Sequence, residues 1–120
     1  MLTTFTLAQA RRVLADLRAT LDETIRVRAD AAELAAAVRD GVPSPLGGLP
    51  ELKAAQARFD ELLSTVAASN VQIKGMAPLL LDFPAELDGE QVLLCWLEGD
   101  AELTWYHRVD LGFLGRRLLP

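Results

Sequence analysis

Residues 79–109 read LLLDFPAELDGEQVLLCWLEGDAELTWYHRV, and the fold turns on this stretch. Short apolar runs rich in Leu, Val and Trp are separated by Pro and Gly, which is a pattern of strands rather than of helix. Strands are expected near 79–83, 91–98 and 103–109, with Asp88-Gly89 as a tight turn and Gly99 to Glu102 as a second. An even-numbered second turn opposes Trp96 to Trp105, Leu94 to His107 and Val92 to Val109 on one face. Cys95, Tyr106 and Arg108 then take the other face, so thiol and imidazole look away from each other.

Upstream of this stretch the period changes. Thr6 and Gln9 form a capping box, in which the hydroxyl accepts a free amide of the first turn and the Gln side chain returns to the cap's own amide. From Ala10 the positions 10, 14, 17, 21, 24, 28, 31, 35 and 38 step by fours and threes, with Leu14, Leu17, Leu21, Ala31, Ala35 and Val38 marking a coiled-coil-like apolar seam. Thr24 and Arg28 interrupt it, and Ile25 beside Thr24 suggests a seam that drifts as an ordinary straight helix does. Gly41 caps this helix, and the Pro- and Gly-rich run 41–50 is a hinge. A second helix starts near Pro50 and Glu51 and carries Leu52, Ala55, Phe59, Leu62, Val66 and Ile73, stopping before Gly75 and Pro78. The expected fold is therefore α+β: a long antiparallel helical hairpin over 6–75, a small three-stranded antiparallel sheet over 79–109 and a tail over 110–120, all in one domain of 120 residues. Leu34, Leu63 and Val71 fall outside the shared seam, which calls for another helical surface and points to a homodimer.

Composition narrows the function classes. Half of the side chains, 51%, are apolar and 24% are charged, as in a globular chain. The opening MLTTFTLAQARR lacks the apolar core of a signal peptide, and no segment approaches the apolar length of a membrane span, so a cytoplasmic protein is expected. The single Cys95 suits a reducing compartment and excludes a disulfide framework or a four-thiolate zinc site. The net charge of −5 is local, since residues 76–120 hold three arginines against eight acids and no basic residue lies between Lys74 and Arg108. Such a field repels phosphate backbones, which excludes nucleic acid, and attracts cations. Its simplest account is a solvated acidic rim.

His107 is the only histidine and the first candidate for chemistry near neutral pH. With Asp82, Glu98 or Asp110 near it, one imidazole and two carboxylates could hold a divalent metal. The commoner use of such a histidine is packing with a hydrogen bond to a carbonyl or carboxylate, and no cofactor is expected. Cys95, on the opposite face, is read as a small core residue. Ser44 lies in the hinge and Ser64 and Ser69 on a helix, none in a nucleophile elbow. Arg116 and Arg117 either clamp an anion or anchor the tail to acids of the sheet or of a second subunit.

The segments FTLAQA, DFPAELDGEQVLLCW and WYHRVDLGFLGRR together resemble an uncharacterised bacterial family, domain of unknown function 2203, over nearly the full length. Its C-terminal signature corresponds here to Asp82-Phe83-Pro84, Gly89, Cys95-Trp96, Gly99-Asp100, Tyr106-His107, Gly112-Phe113 and Gly115-Arg116. The chain departs from it at Tyr106, where members show Trp, at Arg108, where they show an acid, and at Asp100, where they show Glu. The resemblance implies an architecture and a set of residues, with no reaction attached.

Two functions are compatible with these residues. The leading expectation is a non-enzymatic cytoplasmic module that self-associates through its helices and binds another protein through an acidic edge of its sheet. The alternative is a small-ligand- or metal-binding protein with its pocket around His107, using Asp82, Glu98 and Asp110 as oxygen donors and Arg116 as an anion contact.

Overall fold

The structure, a computed structural model, describes residues 4–120. Two helices, α1 (Leu7–Asp40) and α2 (Leu49–Ala67), precede the strands β1 (Gln72–Met76), β2 (Leu79–Leu87), β3 (Glu90–Leu97), β4 (Trp105–Arg108) and β5 (Arg117–Leu118). The α+β class and the helical hairpin stand, while the sheet has five strands where three were expected. No helix of the described residues is long and apolar enough to cross a membrane. Two compact units can be distinguished: residues 4–17 with Ala67–Pro120, and Arg18–Val66.

The second unit holds α1 from Arg18 onward and α2 up to Val66, while the first turns of α1 belong to the first. α1 begins at the expected capping box, with the Thr6 amide donating to Gln9 Oε1 at 2.9 Å and the Gln9 amide to Thr6 Oγ1 at 3.1 Å. It ends at Gly41, whose φ of 67° lets the Gly41 and Val42 amides turn back onto the carbonyls of Val38 and Ala37. Leu14, Leu17 and Leu21 are buried as the seam predicts, and Thr24, expected to interrupt it, is buried too with its hydroxyl donating to the Thr20 carbonyl, but beyond them Leu34 and Ala37 are buried in place of Ala35 and Val38. A straight helix drifts about 20° per heptad away from a 3.5-residue repeat, and by the fourth heptad that drift has rotated a neighbouring row inward. Arg58 of α2 clasps Glu23 of α1 through two hydrogen bonds of 2.9 and 3.0 Å.

α2 stops earlier than its pattern predicts. Ser69 and Asn70 stand where the seam would need apolar residues, Asn70 adopts a positive φ of 64°, and Val71 to Met76 leave the helix. Ile73, expected on α2, lies on β1 paired with Leu81. β-branched Val71 and Ile73 suit an extended chain, which is how the unexpected first strand arises.

The sheet is an antiparallel meander in the order β1-β2-β3-β4-β5. Asp88 and Gly89 both take positive φ, 52° and 80°, giving the primed two-residue turn predicted between β2 and β3. One face of β2 and β3 presents Leu79, Leu81, Phe83, Leu94 and Trp96, all nearly or fully buried. The start of the chain closes on this face: the Phe5 amide donates to the Pro84 carbonyl at 2.7 Å, the Phe5 and Phe83 rings meet edge to face at 5.6 Å, and Arg11 donates to the Leu103 carbonyl.

The second turn is where the sequence reading fails. Seven residues, 98–104, separate β3 from β4, so the loop is odd-numbered. The observed partners are Cys95 with Trp105, Leu93 with His107 and Val92 with Arg108, not Trp96 with Trp105, Leu94 with His107 and Val92 with Val109. The loop first closes a tight turn, with Asp100 accepting from the Leu97 amide through its side chain and donating to the Leu97 carbonyl. Leu103 is then buried completely instead of pairing as a strand residue, and pairing resumes one position out of the expected parity. A slip of one residue exchanges the faces of every side chain on a strand.

In the hairpin, the hydrogen bonds from Arg58 hold the Glu23 carboxyl below its ordinary value of 4.5. A lowered folded-state value means the pair stabilises fully above the unfolded value and loses that contribution as pH falls through the lowered one. Thermal midpoints measured between neutral pH and about pH 3 should therefore fall less steeply for Glu23→Gln than for the wild type.

Candidate metal centre

Because side chains alternate along a strand, the register places Asp82, Leu93, Cys95, Trp105 and His107 on the sheet face away from Phe83 and Trp96. Asp82 sits directly opposite Cys95 across the β2–β3 ladder. His107 sits opposite Leu93 and therefore diagonal to Cys95. Asp82 and His107 lean towards each other across β3, and one ligand atom from each of Asp82, Cys95 and His107 lies within 4.8 Å of the others. All three residues are buried, at 2%, 0% and 2% exposure. This overturns the expectation that thiol and imidazole point apart.

The imidazole is held at both nitrogens. Nδ1 lies 2.9 Å from the Arg108 carbonyl oxygen, and Nε2 lies 3.2 and 3.1 Å from the two Asp82 carboxylate oxygens. Both nitrogens thus face acceptors, while a neutral imidazole carries one N–H. With Nδ1–H donated to the backbone, the space between Nε2 and the carboxylate is completed by a second proton or by a metal ion. A histidine whose outer nitrogen donates to a carbonyl is the usual orientation of a metal-ligating histidine.

The thiol is shaped by the same surroundings. Burial pushes Cys95 up to about 12, the Asp82 charge pushes in the same direction, and Arg116 opposes both. Without a metal the group is a protonated, enclosed thiol, which makes it a poor nucleophile. Arg116 comes from the tail. Its guanidinium stacks 4.4 Å from the Trp105 ring centroid and 5.0 Å from that of Phe113, and its Nη1 lies 3.7 Å from an Asp100 carboxylate oxygen. That Nη1 is buried and makes no hydrogen bond, and it is the sole such side-chain atom among the described residues.

A cleft of about 250 Å³ leads to the pair, lined by Asp82 and His107 at its base and by Lys74, Leu80, Val109 and Phe113 among its walls. Of the residues expected around His107, Asp82 is in direct contact and Arg116 is placed beside Cys95. Glu98 is not among the three converging donors: its Oε1 accepts from the Leu79 amide at 2.9 Å and so fixes the start of β2. Asp110 is not brought in either, because its side chain is 66% exposed and pairs with Arg108. Sequence reasoning set Cys95 aside, yet one signal for it was available. Asp82, Cys95, His107 and Arg116 all belong to the short motifs DFP, CW, YH and GR on which the resemblance rests.

The arrangement can hold a proton or a cation between ring and carboxylate, and with Cys95 it offers nitrogen, sulfur and oxygen donors to one ion. Native protein should react with an aromatic disulfide reagent far more slowly than denatured protein, which should release one thiol equivalent per chain. Fast native labelling would show that the thiol is neither enclosed nor protonated.

A family model described as "Uncharacterized conserved protein (DUF2203)" matches residues 3–119. No curated protein matches the chain, and no solved structure does.

Proposed function

The chain belongs to the DUF2203 family of uncharacterized conserved proteins, and from the geometry of its sheet we propose that it binds a zinc-class divalent metal through Asp82, Cys95 and His107. The observation that carries this reading is the convergence of a carboxylate oxygen, a thiol sulfur and an imidazole nitrogen within 4.8 Å of one another. Ligands bound at about 2.0–2.3 Å in a tetrahedron are themselves roughly 3.3–3.8 Å apart, so small side-chain movements close the set around an ion. The donor types suit zinc and its neighbours better than magnesium or calcium, which prefer oxygen alone. Two further features support it. The Arg108 carbonyl orients the imidazole, and the buried Nη1 of Arg116, which makes no hydrogen bond and meets Asp100 only at 3.7 Å, supplies a donor for a metal-bound thiolate. Three protein ligands leave a fourth position open towards the cleft, the pattern of a working metal site rather than of a closed structural one. A cytoplasmic setting keeps Cys95 reduced and available.

Calorimetric titration of metal-stripped protein with zinc should give one ion per chain. Cys95→Ser, His107→Ala and Asp82→Asn should each weaken binding by more than about 100-fold, since even outer-shell changes cost 10- to 100-fold. Zinc at 100 times its dissociation constant should stabilise the wild type by about 2.7 kcal/mol against unfolding and leave His107→Ala unchanged. Absence of stoichiometric binding in folded wild type, or equal binding by the three variants, would reject the site.

A second observation favours self-association of the hairpin. Val38, Val42, Leu46 and Leu49 are 41%, 56%, 38% and 49% exposed and gather where α1 turns into α2. Leu62 and Val66 are buried within the chain, so the exposed tip is the better seam for a second copy. Light scattering should report twice the chain mass for the wild type and one chain mass for a Val42→Asp, Leu49→Asp double variant. A monomeric wild type at micromolar concentration would remove this reading.

A further inference from the structure

We propose that the open position of this metal centre takes the carboxylate of a short aliphatic acid, with Lys74 as its charge partner and the apolar cleft wall as the seat of its alkyl chain. The inference rests on the metal reading above and names the ligand class of the same site.

Charge comes first. A divalent ion held by the Asp82 carboxylate and the Cys95 thiolate is neutral overall, because His107 contributes no charge as a ligand. Arg116 is balanced by Asp100 at 3.7 Å. Lys74 is the one cationic residue among those lining the cleft, and no carboxylate of the described residues forms an ion pair with it. The cleft therefore carries one uncompensated positive charge at its wall and a Lewis-acidic centre at its base. A monoanion with an oxygen donor satisfies both, whereas a cation is repelled by Lys74 and a neutral alcohol satisfies only the metal.

Shape and polarity then restrict the anion. Leu80, Leu93, Val109 and Phe113 share the walls with Lys74, so the part of the ligand away from its charged end meets hydrocarbon. Water occupies about 30 Å³ per molecule in the liquid, and the cleft of about 250 Å³ matches roughly eight such volumes. An acid of three to five carbons fits within it. The acidic surroundings of residues 76–120 also disfavour multiply charged phosphates.

The test uses full-length protein loaded with cobalt(II), whose visible bands report a change at the metal, titrated with sodium acetate, propionate and butyrate at constant ionic strength. The carboxylates should shift the bands, and affinity should rise about fourfold per added methylene until the cleft is full. Lys74→Met should weaken propionate by up to about fivefold, the upper end for an exposed charge pair, without weakening cobalt, which that lysine repels. Phe113→Ala should flatten the dependence on chain length and spare acetate. Normal cobalt binding without any carboxylate effect, or an equal effect of 1-propanol, would overturn the ligand assignment and leave the metal site intact. Failure of cobalt and zinc to bind at all would overturn the metal reading and this inference together.

Discussion

The register between β3 and β4 is the constraint on which the rest depends. Cys95 faces Trp105 and Leu93 faces His107, so thiol, imidazole and the Asp82 carboxylate share one face of the sheet. One residue more or less in the loop 98–104 would send His107 into the apolar face with Phe83 and Trp96. Two features fix the loop. Asp100 ties its side chain and its amide to Leu97, and the Trp96 indole donates to the Asp100 carbonyl at 2.9 Å. Leu103, completely buried and with its carbonyl held by Arg11, anchors the other end. A hydrophobic anchor and a side-chain-capped turn thus decide which polar groups meet.

Given that register, the two sheet faces have different work. The face bearing Leu79, Leu81, Phe83, Leu94 and Trp96 builds the core against the start of the chain, through Phe5 and the first turns of α1. The other face buries ionisable groups, which is costly unless each finds a partner. Asp82 finds His107, His107 finds the Arg108 carbonyl, and the tail lays Arg116 between Trp105 and Phe113. The residue left with an unmet demand is Arg116, whose Nη1 is buried without an acceptor. A metal-bound thiolate, as proposed, would meet that demand.

The edges of the sheet carry the access. β1 contributes Lys74 and the tail contributes Phe113, and the cleft between them reaches Asp82 and His107. The acidic excess of the C-terminal third, read from sequence as a solvated rim, includes residues with structural duties. Glu98 holds the start of β2, Asp100 closes a turn and faces Arg116, and Glu90 and Asp110 pair with Arg108.

Local sequence determined the elements whose causes are local: the Thr6–Gln9 capping box, the Gly41 cap, the Asp88-Gly89 turn, the hairpin and the α+β class. Each depends on contacts a few residues apart, or on a period repeated often enough to be read. It also supplied Asp82, His107 and Arg116 as residues of interest. Tertiary structure decided the drift that buries Leu34 and Ala37, the strand formed by Ile73 and its neighbours, and the short β5 that pairs with β4. Above all it decided that Cys95 belongs with His107. Strand parity depends on the count of residues in a loop whose end is set by where Leu103 finds the core, and that is a long-range packing event no short window of sequence contains.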